Sequence, residues 1–127
     1  MKGTIVVIPA FNEARTIREV VTAVRRLDVD RIILVDDGST DATVTLIRTL
    51  DAREDSSPCL ELIRHETNLG KGFALASGIA RALTCGGRRI VTIDADGQHC
   101  ADDIPRLERS AMRAPEAIVI AARTEAR

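Results

Sequence analysis

The 127-residue chain has no tryptophan and no tyrosine, and its aromatic rings are limited to Phe11 and Phe73, apart from two histidines. A platform for single-stranded nucleic acid stacks successive bases on aromatic side chains, so almost nothing here could build one. Nor is there an excess of positive charge. Eighteen Lys and Arg against 19 Asp and Glu leave a formal net charge of −1, which argues against a nucleic-acid partner held by its phosphates. Three cysteines, Cys59, Cys85 and Cys100, are odd in number and form no CxxC pair. That spacing speaks against a zinc site or a disulfide framework and favours a reducing compartment. No apolar run approaches the ~18 residues that cross a bilayer. The opening MKGTIVVIPAF begins like a secretion signal, but its apolar run stops at Pro9, short of a signal's roughly 7–15 residues.

What is present reads as one soluble domain: 45% hydrophobic and 29% charged residues, with no repeat and no low-complexity segment. Short apolar runs alternate with amphipathic stretches. Strands are predicted at Thr4–Ile8, Arg31–Val35, Leu60–Ile63, Ile90–Ile93 and Ala117–Ala122. Between them, apolar residues recur at helical spacing. Ile17, Val20, Val21, Val24 and Leu27 mark a first helix; Val44, Ile47 and Leu50 mark a second, with Ser39 or Thr40 placed to cap it. Leu75, Ile79 and Leu83 fall on one face of a third helix that follows Gly72 and stops at Gly86-Gly87, and Ile104, Leu107 and Ala111 suggest a fourth entered near Pro105. Strands apolar on both faces and separated by helices predict an α/β fold, a mostly parallel sheet with helices on both faces.

In such sheets ligands bind beyond the carboxyl ends of the strands. The segments found there are PAFNEA, DDGST, RHETNLGKG, DADGQH and ARTEAR. Glu13, Asp36, Asp37, Asp94 and Asp96 are therefore expected to converge on one edge. A single acid near a helix start is favourable by about 0.3–1 kcal/mol. Several together repel, unless a cation sits among them. Mg²⁺ or Mn²⁺, bound by one or two carboxylates and by substrate phosphates, fits Asp94-Ala95-Asp96.

VVIPAFNEARTI, ILVDDGSTDAT, NLGKGFALASGIA and VTIDADGQH together resemble the family 2 glycosyltransferases of GT-A fold. The likeness extends to the branch that moves a sugar from a nucleotide onto a polyprenyl or dolichyl phosphate. Each motif is weak alone; four in order cover nearly the whole chain. The resemblance implies a three-layer Rossmann-like sheet and a nucleotide-sugar donor carried on UDP or GDP. It also implies metal-assisted inverting transfer and a location in the cytoplasm or on the inner face of the membrane. Pro9, Phe11 and Glu13 match the first nucleotide-contact loop. Val35 and Asp37 match the wall and the acid that recognise base and ribose, with Asp36 in a structural role. Asp94, Ala95 and Asp96 match the DxD motif: Asp96 as metal ligand, Asp94 as a second ligand or a ribose or sugar contact, and both as the residues that carry the chemistry. Gln98 and Arg123 match positions near the diphosphate, His99 a support of the loop, and Lys71 a contact beside the nucleotide.

Family catalytic domains continue well beyond the fifth strand. Residues 1–127 are therefore expected to form a single nucleotide-sugar-binding domain, its open edge covered by a second copy or a partner chain. A donor-half remnant that holds a nucleotide sugar without transferring it is the alternative. A phospho-receiver domain is disfavoured, because it carries its acid pair after the first strand and a lysine after the last, where this chain has Arg123.

Overall fold

The computed structural model describes residues 3–27, 29–51, 58–97, 109 and 118–120. In chain order the elements are β1 (Thr4–Ala10), α1 (Ile17–Arg25), β2 (Arg31–Asp37), α2 (Thr43–Asp51), β3 (Cys59–His65), α3 (Lys71–Thr84), β4 (Arg89–Thr92) and β5 (Ile118–Ile120). The strands form one sheet in the order β3-β2-β1-β4-β5, and every pairing is parallel. The expected α/β architecture is therefore present; Ile104, Leu107 and Ala111, which mark the fourth predicted helix, lie outside the described residues.

Successive side chains on a strand face opposite sides, and both sides of this sheet are covered. Val6, Ile8, Ala10, Ile32, Leu34, Val91 and Ile93 pack with α1 and α2 in one core; Ile5, Val7, Ile33, Val35 and Ile90 pack with α3 in the other. This is why β1 is apolar at nearly every position. Both β1 and β2 run two residues further than the apolar pattern predicts, through Ala10 and Asp37. Parallel neighbours on both sides continue the ladder, pairing Ala10 with Asp36 and Asp37 with His65. Asp36 and Asp37 thus sit within the strand end rather than after it.

The third helix turns a different face inward from the one its leucines suggest. Ala74, Gly78 and Ala82 are buried, Leu75 and Ile79 are half-buried, and Leu83 is 60% exposed. The reason is distance. A Cβ on Gly78 would lie 2.3 Å from Val7 Cγ1 and 3.0 Å from Val35 Cγ2, so α3 approaches the sheet too closely for large side chains. At its outer edge, Arg81 clamps Glu61 of β3 at 2.7 and 3.0 Å. Its end is the expected one: Gly86 adopts φ +79°, Gly86 N donates to Leu83 O and Gly87 N to Ala82 O, the pairing of a Schellman stop.

Gly78→Ala should destabilise the chain by about 1–3 kcal/mol through overpacking, despite alanine's better helix propensity. Leu83→Ala, at an exposed position, should stay within about 0.5 kcal/mol. Urea midpoints of the two variants check the contrast, and equal midpoints would refute close packing of α3 on β1.

Candidate functional site

The chain runs outward from β1 to β3 and then returns to place β4 on the other side of β1. That reversal opens a crevice at the carboxyl ends of β1 and β4, where such sheets bind ligands. A cavity of about 260 Å³ occupies it. Pro9, Ala10, Phe11 and Glu13 line it from the first strand and its loop, and Asp37 from the second. Asn68, Gly70, Lys71 and Ala74 come from the third connection, and Asp94, Ala95 and Asp96 from the fourth.

The first loop is held by the second. Asn12, with φ +51°, occupies the left-handed region that Asn tolerates better than most residues. There its Oδ1 accepts from Thr40 N at 2.8 Å and Asp41 N at 3.3 Å. In return, the amides of Asn12, Glu13 and Ala14 donate to Ser39 Oγ, Thr43 Oγ1 and Asp41 Oδ2. The polar run GSTDAT therefore works as a clamp on FNEA. It also revises the predicted cap: Asp41 Oδ1, not Ser39 or Thr40, accepts from Thr43 N at 2.9 Å at the start of α2, because Ser39 and Thr40 are committed to Asn12.

Asp37 is 3% exposed. Its Oδ1 accepts from Leu69 N at 2.9 Å and lies 2.8 Å from His65 Nδ1, and its Oδ2 accepts from Gly70 N at 2.8 Å. Burial pushes its pKa up, but the His65 bond and the two amides outweigh this and hold it below the ordinary carboxylate value. Next to it, Gly38 has φ +77°, and a Cβ there would meet the backbone of Thr67 and Asn68 at 2.6 Å. No other residue fits. Asp36 faces the opposite side of β2, fully buried, with Oδ2 accepting from Ser39 N at 3.2 Å and Arg64 Nε 4.0 Å away.

The fourth wall is acidic. Thr16, at the start of α1, donates its hydroxyl to the Ala95 carbonyl and so ties the Asp94–Asp96 turn to the first loop. Lys71 Nζ lies 2.6 Å from Asp94 Oδ1. Across the cavity, burial raises the pKa of Glu13, and the negative charges of Asp96, Asp41 and Asp94 raise it further. Among the described residues no group of three or more His, Cys, Asp or Glu is arranged to hold a metal ion. Asp94 and Asp96 bring carboxylate oxygens to the cavity wall, hard donors of the kind a divalent cation takes together with a ligand's phosphate oxygens.

Of the residues singled out from sequence, Pro9, Phe11, Glu13, Asp37, Lys71, Asp94, Ala95 and Asp96 meet in this one cavity. Phe11 is 43% exposed on its rim rather than packed in a core. Val35 does not line the cavity: its side chain is fully buried beneath α3, because position 35 faces the core of β2. Gln98, His99 and Arg123 lie outside the described residues. Sequence reasoning passed over Asn68, which lines the cavity, and His65, which braces it. His65 carried a signal: two adjacent strands each end in a polar pair, and the register sets Asp37 opposite His65.

A family model described as "Glycosyl transferase family 2" matches residues 5–127. Among curated proteins, the chain is 36% identical over 110 residues to the UDP-N-acetylglucosamine–dolichyl-phosphate N-acetylglucosaminyltransferase of Methanococcus voltae, covering 80% of this chain and 44% of that protein. It is 37% identical over 106 residues to the dodecaprenyl-phosphate galacturonate synthase of Rhizobium johnstonii, covering 80% of this chain and 30% of the other. The chain thus spans less than half the length of these relatives. Among solved structures, residues 1–349 of S. aureus TarS with UDP superimpose with a TM-score of 0.63 at 21% identity, over 87% of this chain and 32% of that one. At that identity the likeness speaks for the fold.

Two acids should move stability in opposite directions with pH. Asp37 has a lowered pKa, so its contribution is present above the ordinary carboxylate value and is lost as pH falls through its folded value. Glu13 has a raised one, so its charge disfavours the fold as pH rises through its folded value. Asp37→Asn should cost about 1–3 kcal/mol at pH 7 by leaving buried donors unpaired, and should flatten the acid limb. Glu13→Gln should raise the urea midpoint at pH 7 and leave it unchanged at pH 3. Urea titrations at the two pH values check both signs.

Proposed function

The chain belongs to glycosyl transferase family 2, and from that premise we propose that its cavity holds the nucleotide-diphosphate sugar of a glycosyl transfer. The observation that carries this reading is the meeting of all four connections at one switch point, with a lysine and paired carboxylates where a diphosphate and its counter-ion belong. Pro9 and Phe11 offer an apolar edge for a base. Asp37 offers its carboxylate to the nucleoside, although three protein donors already hold it. Lys71 is exposed enough to leave Asp94 for a phosphate oxygen, since a pair in contact with solvent is worth about 0–1 kcal/mol. Gln98 and Arg123 are assigned to the diphosphate in the same reading.

Asp96 and Asp94 would hold Mg²⁺ or Mn²⁺ together with the donor's phosphates. When bound, such an ion offsets negative charge on the departing diphosphate. The chain's own residues orient the donor. Attack on the anomeric carbon from the face opposite the leaving group inverts the sugar, and a lipid phosphate acceptor, already anionic, needs little help from a general base. The acceptor we assign is a polyprenyl or dolichyl phosphate, as named for the relatives. That acceptor implies a position at the cytoplasmic face of a membrane; among the described residues no helix is long and apolar enough to cross one.

Calorimetric titration with UDP-N-acetylglucosamine, UDP-glucose and GDP-mannose, each with Mn²⁺ and with EDTA, tests the reading. One donor should bind in a metal-dependent manner, and Asp96→Asn should weaken it by about tenfold or more, roughly 1.4 kcal/mol. Equal heats with Mn²⁺ and EDTA would remove the metal from the proposal, and no binding of any donor would remove the site.

A further inference from the structure

Asp37 reaches the cavity, but the groups braced behind it do not. Ser77 Oγ lies 2.8 Å from His65 Nε2, and His65 Nδ1 lies 2.8 Å from Asp37 Oδ1, while neither Ser77 nor His65 is on the cavity wall. The side chains of His65 and Asp37 are 11% and 4% exposed. One line of hydrogen bonds therefore runs from α3 through β3 to the end of β2. We infer that His65 is a positioning residue for this cavity: it fixes the Asp37 carboxylate in the orientation that receives the Leu69 and Gly70 amides, and so sets the wall on which the nucleoside rests. The inference builds on the nucleotide-sugar reading of the cavity.

The geometry supports it in three ways. The torsion that turns a carboxylate about its own axis is soft, whereas Asp37 must present one oxygen to Leu69 N and the other to Gly70 N at once. His65 Nδ1, the third donor to the carboxylate and the second on Oδ1, removes the remaining freedom. A carboxylate only accepts, so Nδ1 must carry the proton of the His65–Asp37 bond. Nε2 is then left to face Ser77, whose hydroxyl serves either as donor to a neutral ring or as acceptor from a charged one. Ser77 thereby holds the ring against flipping in both states. Finally, the order Ser–His–Asp is that of hydrolytic triads, but Ser77 does not line the cavity while Asp37 does, the reverse of what a nucleophile needs, so the line acts as a brace.

The test compares His65→Ala, His65→Asn and Ser77→Ala with the unaltered chain. Asn is chosen because its side-chain amide reaches about where Nδ1 stands. The first measurement is amide hydrogen exchange at Leu69 and Gly70 without ligand. His65→Ala should speed exchange at these two amides by about tenfold or more, the loss expected for a bond to a charged group. Protection at Ile8, Ile33 and Val35 in the sheet should hold. His65→Asn should restore most of the protection, and Ser77→Ala should give an intermediate loss. The second measurement is affinity for UDP-N-acetylglucosamine with Mn²⁺, expected to weaken by about tenfold in His65→Ala and to recover within about threefold in His65→Asn.

Unchanged exchange at Leu69 and Gly70 in His65→Ala, loss spread evenly through the sheet, or failure of Asn to rescue would each overturn the inference. Should His65→Ala fail to fold, the Asn and Ser77→Ala variants decide it by the same two amides. If the unaltered chain binds no nucleotide, the nucleotide-sugar reading falls, while exchange at Leu69 and Gly70 still decides the role of His65.

Discussion

A buried negative charge at the end of β2 organises one side of the cavity. Removing a carboxylate from water costs several kcal/mol unless donors replace the lost solvent. Asp37 receives two backbone amides and His65 Nδ1. Those amides belong to Leu69 and Gly70, so the charge dictates the path of the chain from His65 to the first residue of α3. Lys71 follows at once, and its place opposite Asp94 is inherited from that path. Gly38 is a consequence of the same closure, because the loop it touches has been drawn onto the strand end until no Cβ fits between them.

The acids at the strand ends divide into two kinds. Asp37 and Asp41 are surrounded by donors of the protein itself, and those bonds outweigh burial and lower their pKa values. Glu13 is in the reverse condition, raised by burial and by the charges of Asp96, Asp41 and Asp94. The first kind builds the loops. The second answers to its neighbours' charge, and on the same wall the Lys71 ammonium stands 2.6 Å from Asp94 Oδ1.

Much of this was legible in the sequence, and the failures have physical causes. The strands were found because burial on both faces demands unbroken apolar runs, and the site because parallel topology sends all strand ends to one edge. The inward face of α3 is not legible from its leucines, because hydrophobicity marks leucine as core, whereas the helix is so close to the sheet that Ala74, Gly78 and Ala82 face it. Val35 belongs to the same motif and the same face of β2 as Asp37, but it lies two residues deeper, covered by α3 in the core, and only the strand end at Asp37 reaches the cavity. Ser39 and Thr40 bind Asn12 instead of capping α2, a partner 27 and 28 residues away that local spacing cannot reveal. His65 escaped notice for the same reason: its role depends on register between strands, which becomes visible only once β2 and β3 are aligned.

Alternation also explains how two adjacent aspartates come to do unrelated work. Asp36 points toward the α1–α2 face, shares the side of Ile32 and Leu34, and is fully buried with one oxygen bonded to Ser39 N. Asp37 points toward the α3 face, shares the side of Ile33 and Val35, and opens onto the cavity because α3 begins only at Lys71 and its first buried residue is Ala74. Ala74 belongs both to the core beneath α3 and to the cavity wall. The depth of the cavity therefore follows from how closely α3 lies on β1 and β2, which Gly78 sets. A larger residue there would lift the helix start from the sheet and carry Ser77 and Lys71 with it. The packing of one glycine in the core and the placing of polar groups in the site are thus the same constraint.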